Sequence, residues 1–461
     1  MTSTTAILRA AALAAALLTG ACDAFDATDL NNPSQEDFAN TPTPASVNTA
    51  ATGLFIGLRG SWGVQNGFIP LTAIIGREGY NFDNADPRFV TEMLVGPLEG
   101  GSPAFGGNLW AQRYANIRNE NNLLAAVEKV TGLTDAQKEG IRGVAKTLQA
   151  LDLLWAVNTR DANGAVIDAD IPPTAAPAPI ASKAETFTRI VALLDAGRVH
   201  LQAGGATFSF PLSAGFSAFS TPAEFVRFNR AIRARVAIYL NDWSGALAVL
   251  PATFLNIAAP LTLGAYHTFG SGSGDVLNGL SDPSGRALNA HPSLTTDAQR
   301  RADNSLDLRY QAKVKPRTPV TVQGITTNVL FSVYNTPTDP VPIIRNEELI
   351  LLRAEANLGL GNIPQALVDI NFIRQTSGGL PPYAGAQTAA AVLNELLYNK
   401  RYSLLFEGHR WIDVRHYGLL NTLPKDLSNH KIFTKFPLPR SECIIRDDVA
   451  SISGCNPEVG Q

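Results

Sequence analysis

The densest group of chemically active side chains lies near the C-terminus, between residues 399 and 418. Glu407, Arg410 and Asp413 follow one another at intervals of three, so a helix would place them side by side on its surface. Such a concentration of charge could form an active site. We favour a structural interpretation, in which a partly buried, hydrogen-bonded network fastens this helix to the rest of the protein.

Two histidines on the same predicted helix raise the question of a metal site. His409 and His416 are seven residues apart with Asp413 between them, which is about two helical turns and too far for one ion. The glycine run from Gly270 to Gly274 lacks the spacing and the lysine of nucleotide-binding loops, and it favours a flexible loop. We therefore predict neither a metal nor a cofactor.

Paired carboxylates are the remaining route to catalysis. Asp83, Asp86 and Glu92 fall in one predicted loop. An all-helical glycoside hydrolase would need two carboxylates flanking the sugar bond, and the sequence does not show that any two converge. A hydrolase is thus the least favoured of the alternatives, and we predict no catalytic residues.

The scaffold that must position these residues is predicted to be helical. Capping boxes mark helix starts at Thr134–Gln137, Ser182–Glu185 and Thr221–Glu224. Within the last predicted helix, Gly408 is expected where another backbone comes close, and Gly418 is expected to end the helix. The predicted helices cover residues 44–59, 107–130, 135–157, 183–203, 222–240, 243–250, 343–359, 363–376 and 387–416.

Two regions repeat one plan. Residues 235–247 and 353–367 each read as a helix, a short turn and a second helix, with small residues before the turn and Ala-Leu after it. This plan is typical of tetratricopeptide units, in which two helices pack antiparallel. The predicted fold class is therefore all-α, a tetratricopeptide-like helical-hairpin scaffold with long loop excursions, forming a single domain over residues 44–461.

The N-terminus indicates export. Arg9 precedes an apolar run, residues 10–18, that suits a signal peptide and is too short to span a bilayer. Small residues followed by Cys22 resemble a lipobox, although Thr19 stands at the usual leucine position. We predict a lipoprotein signal peptide at 1–21 and lipid attachment at Cys22, with ordinary cleaved secretion as the alternative.

The residues after Cys22 are polar and acidic, and 22–43 are predicted to form a tether and N-terminal segment. Asp23 resembles an inner-membrane retention signal of some bacteria, which leaves the final membrane open. The net charge of -3 and the pI near 6.1 give no reason to expect nucleic acid as a partner. Cys443 and Cys455 would remain as a pair, and we predict that they form a disulfide.

Two stretches, residues 61–107 and 264–310, interrupt the helical pattern with glycine, polar and aromatic residues. Long loops on a rigid frame commonly form binding surfaces. A sugar-binding surface would use exposed rings as stacking platforms and polar groups to hydrogen bond the hydroxyls. The predicted ligand-binding residues are Trp62, Tyr80, Asp83 and Tyr266, although each ring could equally belong to the core.

The C-terminal segment resembles the signature of the RagB/SusD family of nutrient-uptake outer-membrane lipoproteins. The helix at 228–239, the helix at 344–356 and the segment at 436–442 resemble other family motifs in the same order along the chain. The residues of the signature that this chain keeps are Phe406, Glu407, Gly408, Arg410, Trp411, Asp413, Arg415 and Gly418, with Val414 in place of a leucine.

The resemblance implies a function without chemistry. A protein of this family would be lipid-anchored to the outer membrane, would face the exterior, and would capture a nutrient, usually an oligosaccharide or glycan and sometimes a peptide. Its partner would be a SusC-type TonB-dependent transporter, which it would cover as a lid. A helical scaffold lipoprotein without a small ligand is the second hypothesis.

Overall fold

The computed structural model describes residues 35–101, 108–172, 174–446 and 451–461. The predicted signal peptide and Cys22 lie outside these ranges, together with residues 22–34 of the predicted tether. Within the described ranges, no helix combines the length and the apolar character needed to cross a membrane.

Helices provide the framework, and the predicted helical fold class is confirmed. Several predicted boundaries agree with the structure to within three residues. The helices are α1 Gln35–Asn40, α2 Pro44–Arg59, α3 Phe68–Ile75, α4 Arg88–Thr91, α5 Asn108–Lys129, α6 Asp135–Arg160, α7 Lys183–Gln202, α8 Pro222–Tyr239, α9 Trp243–Val249, α10 Ser293–Thr296, α11 Leu308–Lys313, α12 Asn346–Gly359, α13 Ile363–Thr376, α14 Ala389–Ser403, α15 Arg410–His416 and α16 Arg440–Ile444.

The starts of the long helices are fixed by their own side chains. The Thr134 hydroxyl accepts from the Gln137 amide at 3.2 Å, and the Gln137 side chain accepts from the Thr134 amide at 2.9 Å. The same reciprocal capping box begins α7 at Ser182 and α8 at Thr221. Each box satisfies amide groups that a helix start would otherwise leave without a partner, so all three predicted starts are confirmed.

The helices pack in chain order as a series of hairpins. Contacts run from α2 to α5, then α6, α7, α8, α9 and α12, and α12 also packs against α13 and α14. The two predicted repeats are the hairpins α8–α9 and α12–α13. Each turn contains one residue with positive φ, Asn241 at 57° and Gly361 at 78°, which lets the chain reverse within three residues. Together these hairpins form the tetratricopeptide-like scaffold.

The N-terminal part of the described chain is docked on this scaffold. Helix α1 falls inside the segment predicted as a tether, and it packs against α5. The Lys129 ammonium donates a hydrogen bond to the Ala39 carbonyl at 2.6 Å. The body of the fold therefore begins by Gln35, before the predicted boundary at residue 44.

Short strands that the sequence did not predict lie in the two excursions and in the segment between α11 and α12. The strands are β1 Gly79–Asn81, β2 Gly264–His267, β3 Leu288–Ala290, β4 Val314–Val322, β5 Ile325–Phe331 and β6 Val341–Arg345. They pair antiparallel as three two-stranded ribbons, β1–β3, β2–β6 and β4–β5. Strands β1 and β3 are buried along their full length, so they lack the alternation that reveals a strand in sequence.

The predicted single helix over 387–416 is wrong, because the chain breaks between α14 and α15. Phe406 and Gly408 adopt positive φ angles of 58° and 85°. The Phe406 ring stacks on Phe331 with centroids 4.0 Å apart, and its carbonyl accepts from the Tyr334 hydroxyl at 3.1 Å. Tertiary packing thus overrides the helical spacing of the sequence.

The two glycines of this segment have different roles. A Cβ on Gly408 would lie 2.6 Å from the Phe68 ring, so the close neighbour is a side chain and not the predicted backbone. Gly418 follows α15 with a φ of 67°, and its amide donates to the Arg415 carbonyl at 3.0 Å. The prediction that Gly418 ends the helix is confirmed.

A pair of glycine substitutions tests how the two repeated hairpins pack together. A Cβ on Gly359 would lie 2.3 Å from the Trp243 indole, which joins α12 to α9. We expect Gly359→Ala to lower the free energy of unfolding by about 1–3 kcal/mol through overpacking. Urea denaturation measures the change.

Gly53→Ala is the matched control. Gly53 lies inside α2, where an added Cβ would meet nothing within 4 Å. The substitution should raise stability by about 0.5–1 kcal/mol, because alanine loses less backbone entropy in a helix. Equal effects of the two substitutions would contradict the packing of Gly359 against Trp243.

Candidate functional site

Charged residues of the C-terminal signature form buried ion pairs that hold this segment to the rest of the protein. The Lys400 ammonium lies 2.5 Å from the Asp413 carboxylate and 3.0 Å from that of Glu355, and all three side chains are buried. Burial alone would lower the pKa of Lys400, but the two carboxylates outweigh it and raise this pKa. This triad joins α14 and α15 to α12.

Glu407 makes a separate buried contact. Its carboxylate pairs with the Arg345 guanidinium at 2.9 Å, and Arg345 also binds the Glu347 carboxylate and the Ser403 carbonyl. Glu407, Arg410 and Asp413 therefore do not form one contiguous network, because the helix that would align them is broken. The charge of Arg410 acts on Glu78, whose pKa burial raises to about 7.

Trp411 completes the fastening. Its indole is fully buried, and its N–H donates to the Phe433 carbonyl at 2.8 Å. The Arg415 guanidinium lies over the ring, 4.3 Å from its centroid, which is a cation–π contact. These contacts hold Trp411 of the C-terminal signature against Phe433 and Arg415.

The Arg345–Glu407 pair extends this fastening to the ribbon β2–β6. Arg345 is the last residue of β6, and its backbone lies opposite Gly264 at the start of β2. A Cβ on Gly264 would lie 2.3 Å from the Ile344 carbonyl, so only glycine permits this approach. The position of β2, which carries Tyr266 and His267, is thereby tied to the C-terminal signature.

Tyr266 and His267 line a surface pocket of about 280 Å³. We call it the Tyr266 pocket. Its other walls come from the C-terminal half of α2, from a short 3-10 helix at Ala214–Phe219 with the residue before it, and from the glycine-rich loop 270–275. The polar groups that it offers belong to Thr52, Arg59, Ser213, Tyr266, Thr268 and Asp275.

The pocket combines hydrogen-bond donors and acceptors. The Arg59 guanidinium lies 2.5 Å from the Asp275 carboxylate and 5.3 Å from the centroid of the Phe269 ring. Arg59 also donates to the Thr268 carbonyl. The hydroxyls of Ser213 and Thr268 are 3.2 Å apart. A half-buried tyrosine ring beside these groups is suited to a ligand that carries many hydroxyls.

His267 forms the floor of the pocket and is neutral. Its side chain is buried, with its ring 5.1 Å from Trp62 and 5.8 Å from Trp155 between centroids. Burial, followed by the nearby charges of Arg113 and Arg59, lowers its pKa well below the usual value. The wall beneath the pocket is therefore aromatic and uncharged.

Of the four predicted ligand-binding residues, Tyr266 lines the pocket. The expectation that Trp62 and Tyr80 are exposed platforms is wrong, since 4% and 2% of their surfaces are accessible. Trp62 packs on Phe68 and Trp155, and Tyr80 stacks on Phe82 with centroids 5.2 Å apart. The reason is that residues 61–82 are not one loop: Tyr80 lies in the buried strand β1, and Trp62 lies in the turn between α2 and α3, where its ring enters the core.

The carboxylates of the first excursion make local contacts. Asp83 is half-buried and accepts from the Ala85 amide at 3.0 Å, as in a turn. Asp86 pairs with Arg88 at 2.7 Å, and Glu92 accepts from the Glu99 amide at 3.0 Å. None of them lines the Tyr266 pocket.

Sequence reasoning missed Arg59 and Asp275. They are separated by 216 positions, and the sequence gives no sign that they meet. Arg59 was the last residue of a predicted helix, and Asp275 followed the Gly-Ser run that was predicted to be a flexible loop. The one sequence feature that could have indicated Asp275 is its position as an acidic residue at the end of this loop.

The remaining residues considered from sequence are the cysteine pair and the histidines of the C-terminal signature. Cys443 and Cys455 form a disulfide with Cα atoms 5.8 Å apart, which links α16 to the 3-10 helix at Ser453–Cys455. His409 lies 3.8 Å from Glu348. Within the described ranges, no three or more His, Cys, Asp or Glu side chains are grouped to hold a metal ion.

Replacing the central cation of the triad tests the fastening role. In Lys400→Met, the buried carboxylates of Glu355 and Asp413 would lose their counter-charge, so we expect the free energy of unfolding to fall by about 3–5 kcal/mol at pH 8. Burial already raises the pKa of Asp413 to about 6, so one carboxylate can take up a proton in mild acid. The loss should therefore be smaller at pH 5 than at pH 8, as measured by urea denaturation at both values.

Lys183→Met is the control for this experiment. Lys183 pairs with Asp161 at 2.5 Å, but 48% of its side chain is exposed. Breaking an exposed pair should cost less than about 1 kcal/mol. A similar small loss for Lys400→Met would contradict the fastening role.

Comparison with known proteins agrees with this architecture. Residues 303–436 match the model of the SusD family, and no curated protein matches the sequence significantly. A SusD-like carbohydrate binding protein from Bacteroides fragilis is 15% identical with a TM-score of 0.69, covering 90% of this chain and 100% of that chain. A SusD superfamily protein from Bacteroides vulgatus is 16% identical with a TM-score of 0.67, covering 87% and 97%.

A third solved structure has the same fold. Surface glycan-binding protein A from Bacteroides thetaiotaomicron is 12% identical with a TM-score of 0.65, covering 91% of this chain and 99% of that chain. At these identities the structures show a shared fold over nearly the whole length of each protein. With the match of residues 303–436 to the family model, this shared fold makes the chain similar to proteins of the SusD/RagB family.

Proposed function

We propose that this chain binds an oligosaccharide in the Tyr266 pocket and delivers it to a SusC-type TonB-dependent transporter of the outer membrane. The observation that carries the proposal is the pocket itself. It places a half-buried tyrosine ring beside the donor Arg59, the acceptor Asp275 and the hydroxyls of Ser213 and Thr268. Sugars present apolar faces for stacking and hydroxyls for hydrogen bonding, so these groups match both parts of the ligand.

Two of the related structures support a saccharide as the ligand. The Bacteroides fragilis protein is a carbohydrate binding protein, and the Bacteroides thetaiotaomicron protein is a surface glycan-binding protein. Fold alone does not assign a ligand, so the proposal also rests on the polar and aromatic groups of the pocket, which suit a sugar. The proposed role is binding without catalysis, with release fast enough to allow transfer to the partner.

The proposed location follows from the N-terminal sequence. Removal of residues 1–21 and lipidation of Cys22 would anchor the protein at the outer membrane, facing the exterior. The interval from Cys22 to the first residue of α1, Gln35, would then separate the anchor from the folded body. The body, from α1 to the C-terminus, would act as one domain over the transporter.

A panel of oligosaccharides and peptides, titrated calorimetrically against the purified protein, tests the ligand. We expect at least one saccharide to bind and to be recovered unchanged. Release of shorter products would contradict a binding protein and would favour a hydrolase.

Purification from membranes under mild conditions tests the partner, and failure to recover a TonB-dependent transporter would contradict the delivery role. A transporter recovered without any ligand would favour a scaffold.

Tyr266→Ala tests the site. Loss of the stacking ring should weaken saccharide binding by about twofold to tenfold, with the protein fold unchanged. Tyr383→Ala is the matched control, because Tyr383 is also half-buried with its hydroxyl bound to a backbone carbonyl, at 3.0 Å, but lies outside the pocket. Equal affinity of the two variants for the saccharide would place the binding site elsewhere.

A further inference from the structure

The Tyr266 pocket contains a cation, Arg59, whose hydrogen-bond donors are only partly occupied by the described residues. The Arg59 side chain is 11% exposed, and it is the last residue of α2, where the negative end of the helix dipole favours a positive charge. Its hydrogen bonds to Thr268 and Asp275 both leave from Nη1. Among the described residues, none accepts a hydrogen bond from its Nε or Nη2. This pair of nitrogens is the planar fork that binds a carboxylate through two parallel hydrogen bonds.

The counter-ion of Arg59 is attached to a loop that gives it little support. Asp275 follows Gly270, Gly272 and Gly274, and residues 271–277 are all exposed. An added Cβ on Gly272 or Gly274 would meet nothing within 4 Å, so the loop is not packed against the body at these positions. A charged group on such a loop can move away from its partner without disturbing the packed body of the protein.

The lining of the pocket carries one cation, Arg59, and one anion, Asp275. Asp275 is the one acidic residue among the described residues that line it. Behind the floor, Arg113 is buried, and its guanidinium donates to the Leu58 carbonyl at 2.9 Å and pairs with Asp152 at 2.6 Å. When Asp275 moves away, Arg59, whose side chain is only 11% exposed, loses its counter-ion, which is costly unless another anion replaces it.

We propose that the ligand of the Tyr266 pocket carries a carboxylate, as an oligosaccharide containing uronic acid does, and that this carboxylate displaces Asp275 from Arg59. The inference rests on the proposed function, because it names the class of saccharide that the same pocket binds. Asp275 is the counter-ion of Arg59, through Nη1, until the ligand arrives and its carboxylate is bound by Nε and Nη2. The glycine-rich loop then moves aside, and Arg59 exchanges one carboxylate partner for another.

The test compares acidic oligosaccharides with their neutral counterparts. The probes are tetramers of galacturonate, of glucuronate and of mannuronate, each paired with the same tetramer after reduction of its carboxyl groups. Calorimetry of the purified protein should show tighter binding of at least one acidic tetramer than of its neutral form, with an affinity that falls as NaCl is raised.

Two substitutions give opposite results if the inference is correct. Asp275→Asn removes the competing carboxylate, so affinity for the acidic tetramer should rise by about twofold to fivefold. Arg59→Gln removes the cation, so affinity for it should fall about tenfold or more. Asp86→Asn is the matched control, since Asp86 also pairs with an arginine on an excursion but lies outside the pocket, and it should leave the affinity unchanged.

The alternative is that the Arg59–Asp275 pair binds the hydroxyls of a neutral sugar. In that case Asp275→Asn would weaken binding, and the neutral tetramers would bind at least as well as the acidic ones. This result would overturn the inference and leave the proposed function standing. Binding of peptides in place of any saccharide would overturn both. Because Asp275 is on an exposed loop, its variant tests the idea even if Arg59→Gln impairs folding.

Discussion

The buried ion pair between Arg345 and Glu407 is the contact on which the other features depend. It joins the turn of the C-terminal signature to the end of β6, and β6 holds β2 through backbone pairing. Removing one partner of such a pair would leave a buried charge uncompensated, at a cost of about 3–5 kcal/mol. The Tyr266 pocket is formed on β2, so the residues of the C-terminal signature and those that line the pocket are connected through the same ribbon.

The fold consists of a helical frame and of excursions from that frame. Helix α2 and the hairpins α5–α6, α8–α9 and α12–α13 form the frame. Side-chain caps begin α6, α8 and α9, and a residue with positive φ lies in the turn of each of the last two hairpins. The pocket is built where an excursion meets the frame, because α2 supplies Arg59 and the chain from β2 to Asp275 supplies the opposite wall. A binding site of this kind can change its ligand by altering loop residues without disturbing the hairpins.

The helical frame was predictable from sequence because its signals are local. Capping boxes and apolar spacing determine a helix from within its own segment, so Pro44–Arg59 and Ile363–Thr376 agree with the predicted ranges. The break before α15 was not predictable, since it depends on Phe406 stacking against Phe331, 75 positions earlier in the chain. For the same reason Trp62 was misjudged, and Arg59 was missed because its partner Asp275 is distant in sequence. Of the four predicted ligand-binding residues, Tyr266 lines the pocket, and it was chosen only from a general preference for aromatic residues in excursions.

The central claim is that a saccharide binds where α2, the Ala214–Phe219 segment and the loop after β2 meet. Amide hydrogen exchange of the protein with and without a bound oligosaccharide tests it most directly, because protection reports every contacted segment at once. The account predicts slower exchange at the C-terminal end of α2 and across residues 266–277. Protection confined to residues 79–92, with the segment 266–277 unchanged, would contradict it.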